Sequence, residues 1–291
     1  MLNILRGIGD ALAQARLGLI GVALALHLAG LIVTGERWRV VVAALGTRLK
    51  LTRTVLINLA GIFVRNVTPT TGIGGDASRI MLLRAEGVPL AQATAAFAYV
   101  RLAEVPPLAL VAVLSTSAVA SAMRRSTTAM AITVAVLTAF ALAAWTQRAR
   151  ARAILADLWR RTAHLRIDRV SMGLAILYAA TAQVESVVRQ AVVAAAFGFP
   201  LTLGQSAAIT AMSIASGFVP TVGSIGAIDG TMMAGFMLFG ADAHTAIAIT
   251  VAERLISYGV STALGAGAIA LLGGRRILRA ASDRQATTPA A

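Results

Sequence analysis

The sequence predicts an all-α polytopic membrane protein, built as an inverted repeat of helices with two re-entrant (broken-helix) hairpins. Three observations predict it: an apolar composition, a short motif that interrupts two apolar stretches, and basic segments that separate apolar runs. Hydrophobic residues make up 58% of the chain and charged residues 13%, whereas soluble domains are about 45–50% apolar and about 25% charged. No segment is polar enough for a soluble domain, so we expect a single integral membrane domain over residues 1–291.

Five apolar runs are long enough to span a bilayer unbroken, because a helix of about 20 mostly apolar residues crosses the hydrocarbon core. The first run is too long for the apolar region of a typical signal peptide, and charged residues follow it where a small-residue cleavage site would stand. We therefore expect it to be a retained span. In chain order the unbroken spans are predicted at 17–34, 89–121, 128–146, 171–199 and 244–272.

Two further apolar stretches, 54–87 and 205–240, contain the motif Pro-Thr-x-Gly-x-x-Gly, at 69–75 and at 220–226. Proline ends a helix because it lacks an N–H and clashes with the preceding turn, and glycine permits positive φ and close backbone approach. Each half of a stretch has about fifteen residues, or about 22 Å of helix, which is short of a hydrocarbon core of about 30 Å. Two such halves predict a re-entrant hairpin, and a single kinked span is the alternative.

The basic segments 36–53 and 147–170 and the C-terminal tail set the topology. By the positive-inside rule all three are predicted to be cytoplasmic. Kinked spans would place the segment 147–170 opposite the other two, whereas re-entrant hairpins place all three on one side. The internal repeats are then 17–121 and 171–272, joined by the linking span 128–146 and the basic segment, and the second is the first turned upside down. Inverted repeats place their binding site near the bilayer midplane.

Arginines inside the predicted spans indicate a functional site, since each costs about 2.5–3.5 kcal/mol to insert and therefore faces a partner or a wet cavity. Arg101 has Glu104 one helical turn away and can be neutralised within its own helix. Arg254 differs, because its neighbour Glu253 points about 100° around the helix. We expect the counter-ion of Arg254 to come from another segment or from a ligand.

Other charged residues support this site. Glu185 precedes Arg189 at the i, i+4 spacing of a helical ion pair, which leaves both a functional and a structural role open for that arginine. Asp76 and Asp229 each follow a break and are expected to complement the positive end of a half-helix. The supporting residues are Asn66, Asp76, Arg79, Glu104, Glu185, Arg189, Asp229 and Glu253.

The two breaks predict an anion site, because a half-helix that starts at membrane depth presents unpaired backbone N–H groups to a phosphate or a carboxylate. The alternative is that Pro and Gly only make tight turns in packed hairpins. The predicted substrate-binding residues are Arg101, Arg254, Pro69, Thr70, Gly72, Gly74, Gly75, Pro220, Thr221, Gly223 and Gly226.

Several kinds of chemistry are disfavoured. The chain has no cysteine, and its three histidines are dispersed, so we expect no metal, no cofactor and no catalytic thiol. The net charge of +14 would indicate nucleic acid in a soluble protein, but the basic residues lie between apolar runs and are assigned to topology. No catalytic constellation is evident, and we expect a protein that is not an enzyme.

The segments 66–69, 74–76 with Arg79, and 220–229 resemble the paired signatures of the lysylphosphatidylglycerol synthase transmembrane, or flippase-like, family. The resemblance extends from about residue 35 to 272 and implies a membrane module that moves a phospholipid between leaflets. In bifunctional members a soluble aminoacyl-transferase domain accompanies this module, and we expect a stand-alone membrane module here. Val222, Ser224 and Asp229 depart from the usual second motif, which puts the identity of the substrate in doubt.

These observations predict a lipid transporter of the cytoplasmic (inner) membrane that translocates a phospholipid, or another lipid with a phosphate headgroup. Its expected partners are anionic or zwitterionic phospholipids, with no nucleic acid, and a lipid-modifying enzyme is a candidate partner. Two alternatives stay open. One is a membrane-embedded enzyme acting on a lipid phosphate, for which Glu104 and Glu253 are the available bases. The other is a non-transporting subunit of a lipid-modifying system.

Overall fold

The computed structural model describes residues 15–68, 73–125, 165–217 and 226–273, and every regular element in these ranges is helical. The predicted all-α fold is therefore confirmed. The predicted span 128–146, most of the basic segment 147–170 and the C-terminal tail lie outside the described residues. In chain order the helices are α1 (Leu17–Ala44), α2 (Leu51–Val67), α3 (Ile73–Ala85), α4 (Leu90–Arg125), α5 (Arg169–Ala196), α6 (Leu203–Ser216), α7 (Ala227–Leu238), α8 (Ala243–Arg254), a π-helical segment (Leu255–Val260) and α9 (Ser261–Leu271).

Four described helices are long and apolar enough to cross a membrane: α1, α4, α5 and the continuous helix formed by α8, the π-helical segment and α9. They correspond to four of the five predicted spans and confirm a multi-pass membrane protein. Large apolar side chains point outward along these helices; Val105 and Val113 of α4, for example, are 57% and 65% exposed. Such an apolar exterior suits a surface that faces lipid rather than water.

Helix α1 is longer than predicted. The first span was expected to end at Thr34 and to be followed by a basic inter-span segment, but the helix continues to Ala44. The charges of residues 36–39 are neutralised within the structure, and the cytoplasmic placement of the segment 36–53 stays a prediction. Glu36 accepts hydrogen bonds from Arg39 one turn away, and Arg37 is 5% exposed and donates to Glu104 of α4 at 2.6 Å.

Helices α2 and α3 pack antiparallel as a hairpin. A Cβ added to Gly75 would lie 2.6 Å from the carbonyl oxygen of Gly61, so the two backbones touch at glycine. Farther from the break, Arg79 reaches back to the carbonyl of Asn58. The chain therefore doubles back across the first motif.

Helices α6 and α7 pack in the same way across the second motif. Ile228 lies beside Gly217 next to the break, and Gly235 packs on Ile209 farther along the pair. Both interrupted stretches are thus helical hairpins, as a re-entrant arrangement requires and as a kinked span does not. Their re-entry into a bilayer stays a prediction.

The two halves repeat one order of elements: a long helix, two short helices and a second long helix. Helix α1 packs along α5, while α4 packs against α6 and α9 against α2. The second long helix of each half therefore packs on the first short helix of the other half. Helix ends repeat as well: Gly46 and Gly198 follow the first long helices with positive φ, and Gly87 and Gly240 follow the hairpins in the same way, a common helix ending. The bounds of the two repeats and their inverted orientation stay a prediction.

Side chains cap the starts of several helices in the second half of the chain. Asp242 precedes α8, and its carboxylate accepts from the backbone N–H groups of His244 and Thr245 at 2.9 and 3.1 Å and from the Thr245 hydroxyl at 2.6 Å. These bonds, led by the one from the Thr245 hydroxyl, hold the pKa of Asp242 below its usual value. Thr202 and Gln205 form a capping box at the start of α6. The caps satisfy N–H groups that a helix leaves without internal partners.

Candidate functional site

A cavity of about 560 Å³ lies where α2 to α8 and the π-helical segment meet. We call it the central cavity. Its charged lining comes from both halves of the chain: Arg65, Asp76, Arg101, Glu104, Arg189, Glu253 and Arg254. A second cavity of about 290 Å³, the adjoining cavity, is lined by α1 to α5, the π-helical segment and the start of α9, and it shares Arg65, Arg101, Glu104 and Arg189 with the first. So many charges inside apolar helices mark a polar interior path.

In the first half of the chain Arg101 is held by two carboxylates. Its Nη2 donates to both oxygens of Asp76 at 2.6 Å, and its Nη1 donates to Glu104 at 2.9 Å. Asp76 also accepts from Arg79 at 2.8 Å, and Glu104 also accepts from Arg37 at 2.6 Å. The predicted pairing of Arg101 with Glu104 is confirmed, but the contact with Asp76 ties α4 to the start of α3. The network therefore joins three helices.

The second half contains a similar network. Arg254 Nε lies 2.6 Å from Asp229 Oδ1, and these residues have the same sequence spacing, 25, as Asp76 and Arg101. The prediction that Arg254 takes its counter-ion from another segment is confirmed. Arg189 pairs with Glu185 at 2.7 Å, as predicted, and also with Glu253 of α8. Each half thus ties the arginine of a long helix to the aspartate of its own hairpin.

The described motif glycines differ in their roles. Gly226 has a φ of 88° and its N–H donates to Asp229 at 2.9 Å, which matches the predicted helix-terminal role of that aspartate. Gly75 lies inside α3 and is needed for close packing on α2; Gly74 also lies in α3. The predicted binding residues outside the described ranges are Pro69, Thr70, Gly72, Pro220, Thr221 and Gly223. Their role as backbone donors stays a prediction.

Asn66 joins the two halves beside the cavity. Its side chain donates to the Thr262 hydroxyl at 2.8 Å, and its carbonyl accepts from the Tyr258 hydroxyl at 2.9 Å. The Tyr258 ring also lies 4.8 Å from the Arg254 guanidinium, a cation–π distance. A residue at the end of α2 is therefore bonded to the segment that carries the arginine of the other half.

The model of one protein family, described as the lysylphosphatidylglycerol synthase TM region, matches residues 4–265. The chain belongs to this family. Membership confirms the resemblance in the sequence and gives the protein a membrane lipid-related role. No curated protein and no solved structure matches the chain.

Two arginines of the site, Arg37 and Arg65, were not identified from the sequence. Arg37 was assigned to a cytoplasmic segment, although it is buried against Glu104. Arg65 stands in the lead-in to the first motif, directly before Asn66, and it lines both cavities. The sequence did contain one indication of Arg65: it is a charged residue inside the apolar run that forms α2.

Within the described ranges, no group of three or more His, Asp or Glu residues is placed to hold a metal ion. The carboxylates of the site contact arginines instead. The arrangement is therefore suited to exchanging charge-assisted hydrogen bonds between arginine, carboxylate and an incoming anion.

Proposed function

We propose that the protein translocates a lipid with a phosphate headgroup between the leaflets of the cytoplasmic (inner) membrane. One observation supports this most directly: Arg101 and Arg254, one from each half of the chain, line the same cavity. Membership of the lysylphosphatidylglycerol synthase TM region family supports a lipid as the ligand. The headgroup passes through the central cavity while the acyl chains stay in the bilayer.

The site needs no covalent chemistry for this task. A phosphate that enters the cavity competes with Asp76 for Arg101 and with Asp229 for Arg254. Arginine forms bidentate contacts with phosphate and with carboxylate alike, so the phosphate can replace the aspartate while the guanidinium keeps an anionic partner. Because each aspartate belongs to a hairpin and each arginine to a long helix, this exchange loosens one hairpin from its half. Alternating access then follows from rocking one repeat against the other.

The carboxylates of the site weigh against the alternative of an enzyme acting on a lipid phosphate. Glu104 accepts from Arg37 and Arg101, and Glu253 pairs with Arg189. Glu104, held by two arginines, is stabilised in its ionised form and is a weak general base. We therefore propose that the protein is a transporter and not an enzyme, and that its membrane partners are phospholipids.

The test is a proteoliposome assay with fluorescently labelled phospholipids and a membrane-impermeant quencher. Wild-type protein is expected to move label between leaflets faster than protein-free liposomes. Arg101→Ala and Arg254→Ala are each expected to slow this movement at least tenfold, since each removes a contact worth about 1.5–3 kcal/mol. Arg84→Ala at the end of α3, outside both cavity linings, is the matched control. If both variants are folded and transport at the wild-type rate, the proposed site is wrong.

A further inference from the structure

Arg65 differs from every other arginine that lines the two cavities. Among the described residues, the other cavity arginines each have a carboxylate within ion-pair distance: Arg37, Arg79, Arg101, Arg189 and Arg254. No carboxylate in the described part of the chain lies within ion-pair distance of Arg65, although its side chain lines both the central and the adjoining cavity.

The formal charge of the site has the same imbalance. Six arginines line the two cavities, and the carboxylates that contact them are five: Asp76, Glu104, Glu185, Asp229 and Glu253. The described site therefore has one positive charge in excess, and Arg65 carries it. An unpaired charge inside a membrane protein is costly unless a ligand or water compensates it.

Packing restrains the base of the Arg65 side chain and leaves its end in the cavity. A Cβ added to Gly75 would lie 2.7 Å from the Arg65 Cβ, so α3 is packed against the start of this side chain. The residue is nevertheless exposed. Its charge interacts with those of Arg101 and Arg254, one from each half, and also with those of Asp76 and Glu104. Arg65 is thus a pre-positioned donor group beside the arginines of both repeats.

We propose that Arg65 is the first phosphate contact of the site and that the site selects a lipid whose headgroup is a monoanionic phosphodiester. This inference rests on the proposed lipid transport and names its substrate class. A single negative charge matches the single excess cation. A dianionic phosphomonoester leaves one negative charge without a partner. A zwitterionic headgroup adds an ammonium group to a site that already has an excess of positive charge.

The test is equilibrium binding of a radiolabelled short-chain phosphatidylglycerol, a monoanionic phosphodiester lipid, to the full chain in detergent. Unlabelled short-chain phosphatidylglycerol, phosphatidic acid, phosphatidylcholine and the soluble diester dimethyl phosphate serve as competitors. Phosphatidylglycerol is expected to compete best. Tighter binding of phosphatidic acid or phosphatidylcholine would overturn the charge argument, and equally tight binding of dimethyl phosphate would overturn the lipid as the source of the diester.

Substitutions at Arg65 separate charge from structure. Arg65→Gln is expected to weaken phosphatidylglycerol binding at least tenfold, because it removes a charge-assisted contact. Arg65→Lys keeps the charge but not the bidentate geometry, so its affinity for phosphatidylglycerol should lie between those of wild type and Arg65→Gln. Arg53→Gln on the same helix is the control: this arginine is half exposed, 3.6 Å from Glu86, and lines neither cavity. Thermal melting in the same detergent checks that each variant is folded.

Parallel transport measurements distinguish this inference from the proposed function. If Arg65→Gln binds like wild type while the wild-type protein transports lipid, the role of Arg65 is wrong and the transport proposal stands. If the folded wild-type protein neither binds nor moves any of the lipids, the proposed function itself fails. If Arg65→Lys binds no better than Arg65→Gln although both are folded, charge is not the property that the site uses, and the inference is overturned.

Discussion

The ion pair between Arg189 and Glu253 predicts an unequal response to removing its two members. Arg189 is flanked by Glu253 and Glu185, and the three side chains are 7%, 5% and 12% exposed. Replacing the arginine leaves two nearly buried carboxylates with no cation between them. Replacing Glu253 leaves Arg189 still paired with Glu185. The cost of the first change is therefore expected to exceed that of the second.

The magnitudes follow from these environments. Removing one partner of a buried ion pair costs about 3–5 kcal/mol, which we expect for Arg189→Gln. Glu253→Gln loses one charge-assisted hydrogen bond and should cost about 1.5–3 kcal/mol. The double variant Arg189→Gln/Glu253→Gln leaves one carboxylate, Glu185, without a cation instead of two, and should be less destabilised than Arg189→Gln. At about 2 °C per kcal/mol, the lower end for larger domains, Arg189→Gln lowers the Tm by roughly 6–10 °C.

Thermal unfolding in detergent, followed by intrinsic tryptophan fluorescence, measures these differences. Arg53→Gln is again a matched control, because its half-exposed pair with Glu86 is worth at most about 1 kcal/mol. If Arg189→Gln melts within error of Arg53→Gln, the pair is well solvated and the description of a low-dielectric site is wrong. If Glu253→Gln is the more damaging change, the assignment of Glu185 as a second counter-ion is wrong.

Gly75→Ala should cost about 1–3 kcal/mol by overpacking α2 against α3, since the new Cβ has no room, whereas Gly230→Ala, with nothing within 4 Å, should melt at or above the wild-type Tm. Asp242→Ala should cost about 1 kcal/mol at neutral pH. The folded-state pKa of Asp242 is lowered, so the cap contributes its full stability above about pH 4 and loses it as the pH falls through the lowered value. A difference in Tm between wild type and Asp242→Ala that stays constant to low pH would contradict the cap. In the chain, which has no native cysteine, Arg48→Cys and Ala163→Cys should both react with an impermeant maleimide from the cytoplasmic side only, and labelling from opposite sides rules out the re-entrant topology.

The fold was predictable because it depends on properties summed over many residues. Composition and run length are sufficient to predict apolar helices that span a membrane, and the repeated motif predicted where two of the stretches break. The end of α1 was not predictable in the same way. Its extension to Ala44 depends on Glu104, a residue 67 positions away, which neutralises Arg37. A one-dimensional pattern contains no information on such a partner.

The site was predictable in part for the same reason. Helical geometry showed that Glu253 cannot neutralise Arg254, but only the tertiary structure identifies Asp229 as the partner. Asp76 lies in the first turn of α3, as expected, but only the tertiary structure shows that its carboxylate also contacts Arg79 and Arg101. Arg65 was overlooked because its distinguishing property is that none of the described carboxylates lies within ion-pair distance, and this becomes apparent only when the packed neighbours are known.

The π-helical segment Leu255–Val260 directly follows Arg254. A π-helical turn bonds i to i+5 and so holds one residue more than an α-helical turn. Closing the wide turn into α-helical geometry without deleting a residue turns α8 against α9 by about 100°, the rotation of one α-helical residue. The extra residue of the π-helical turn therefore allows α8 to rotate against α9 at the point where Arg254 contacts Asp229. Deleting one residue of the segment would abolish this rotation and hold the arginine in its present orientation.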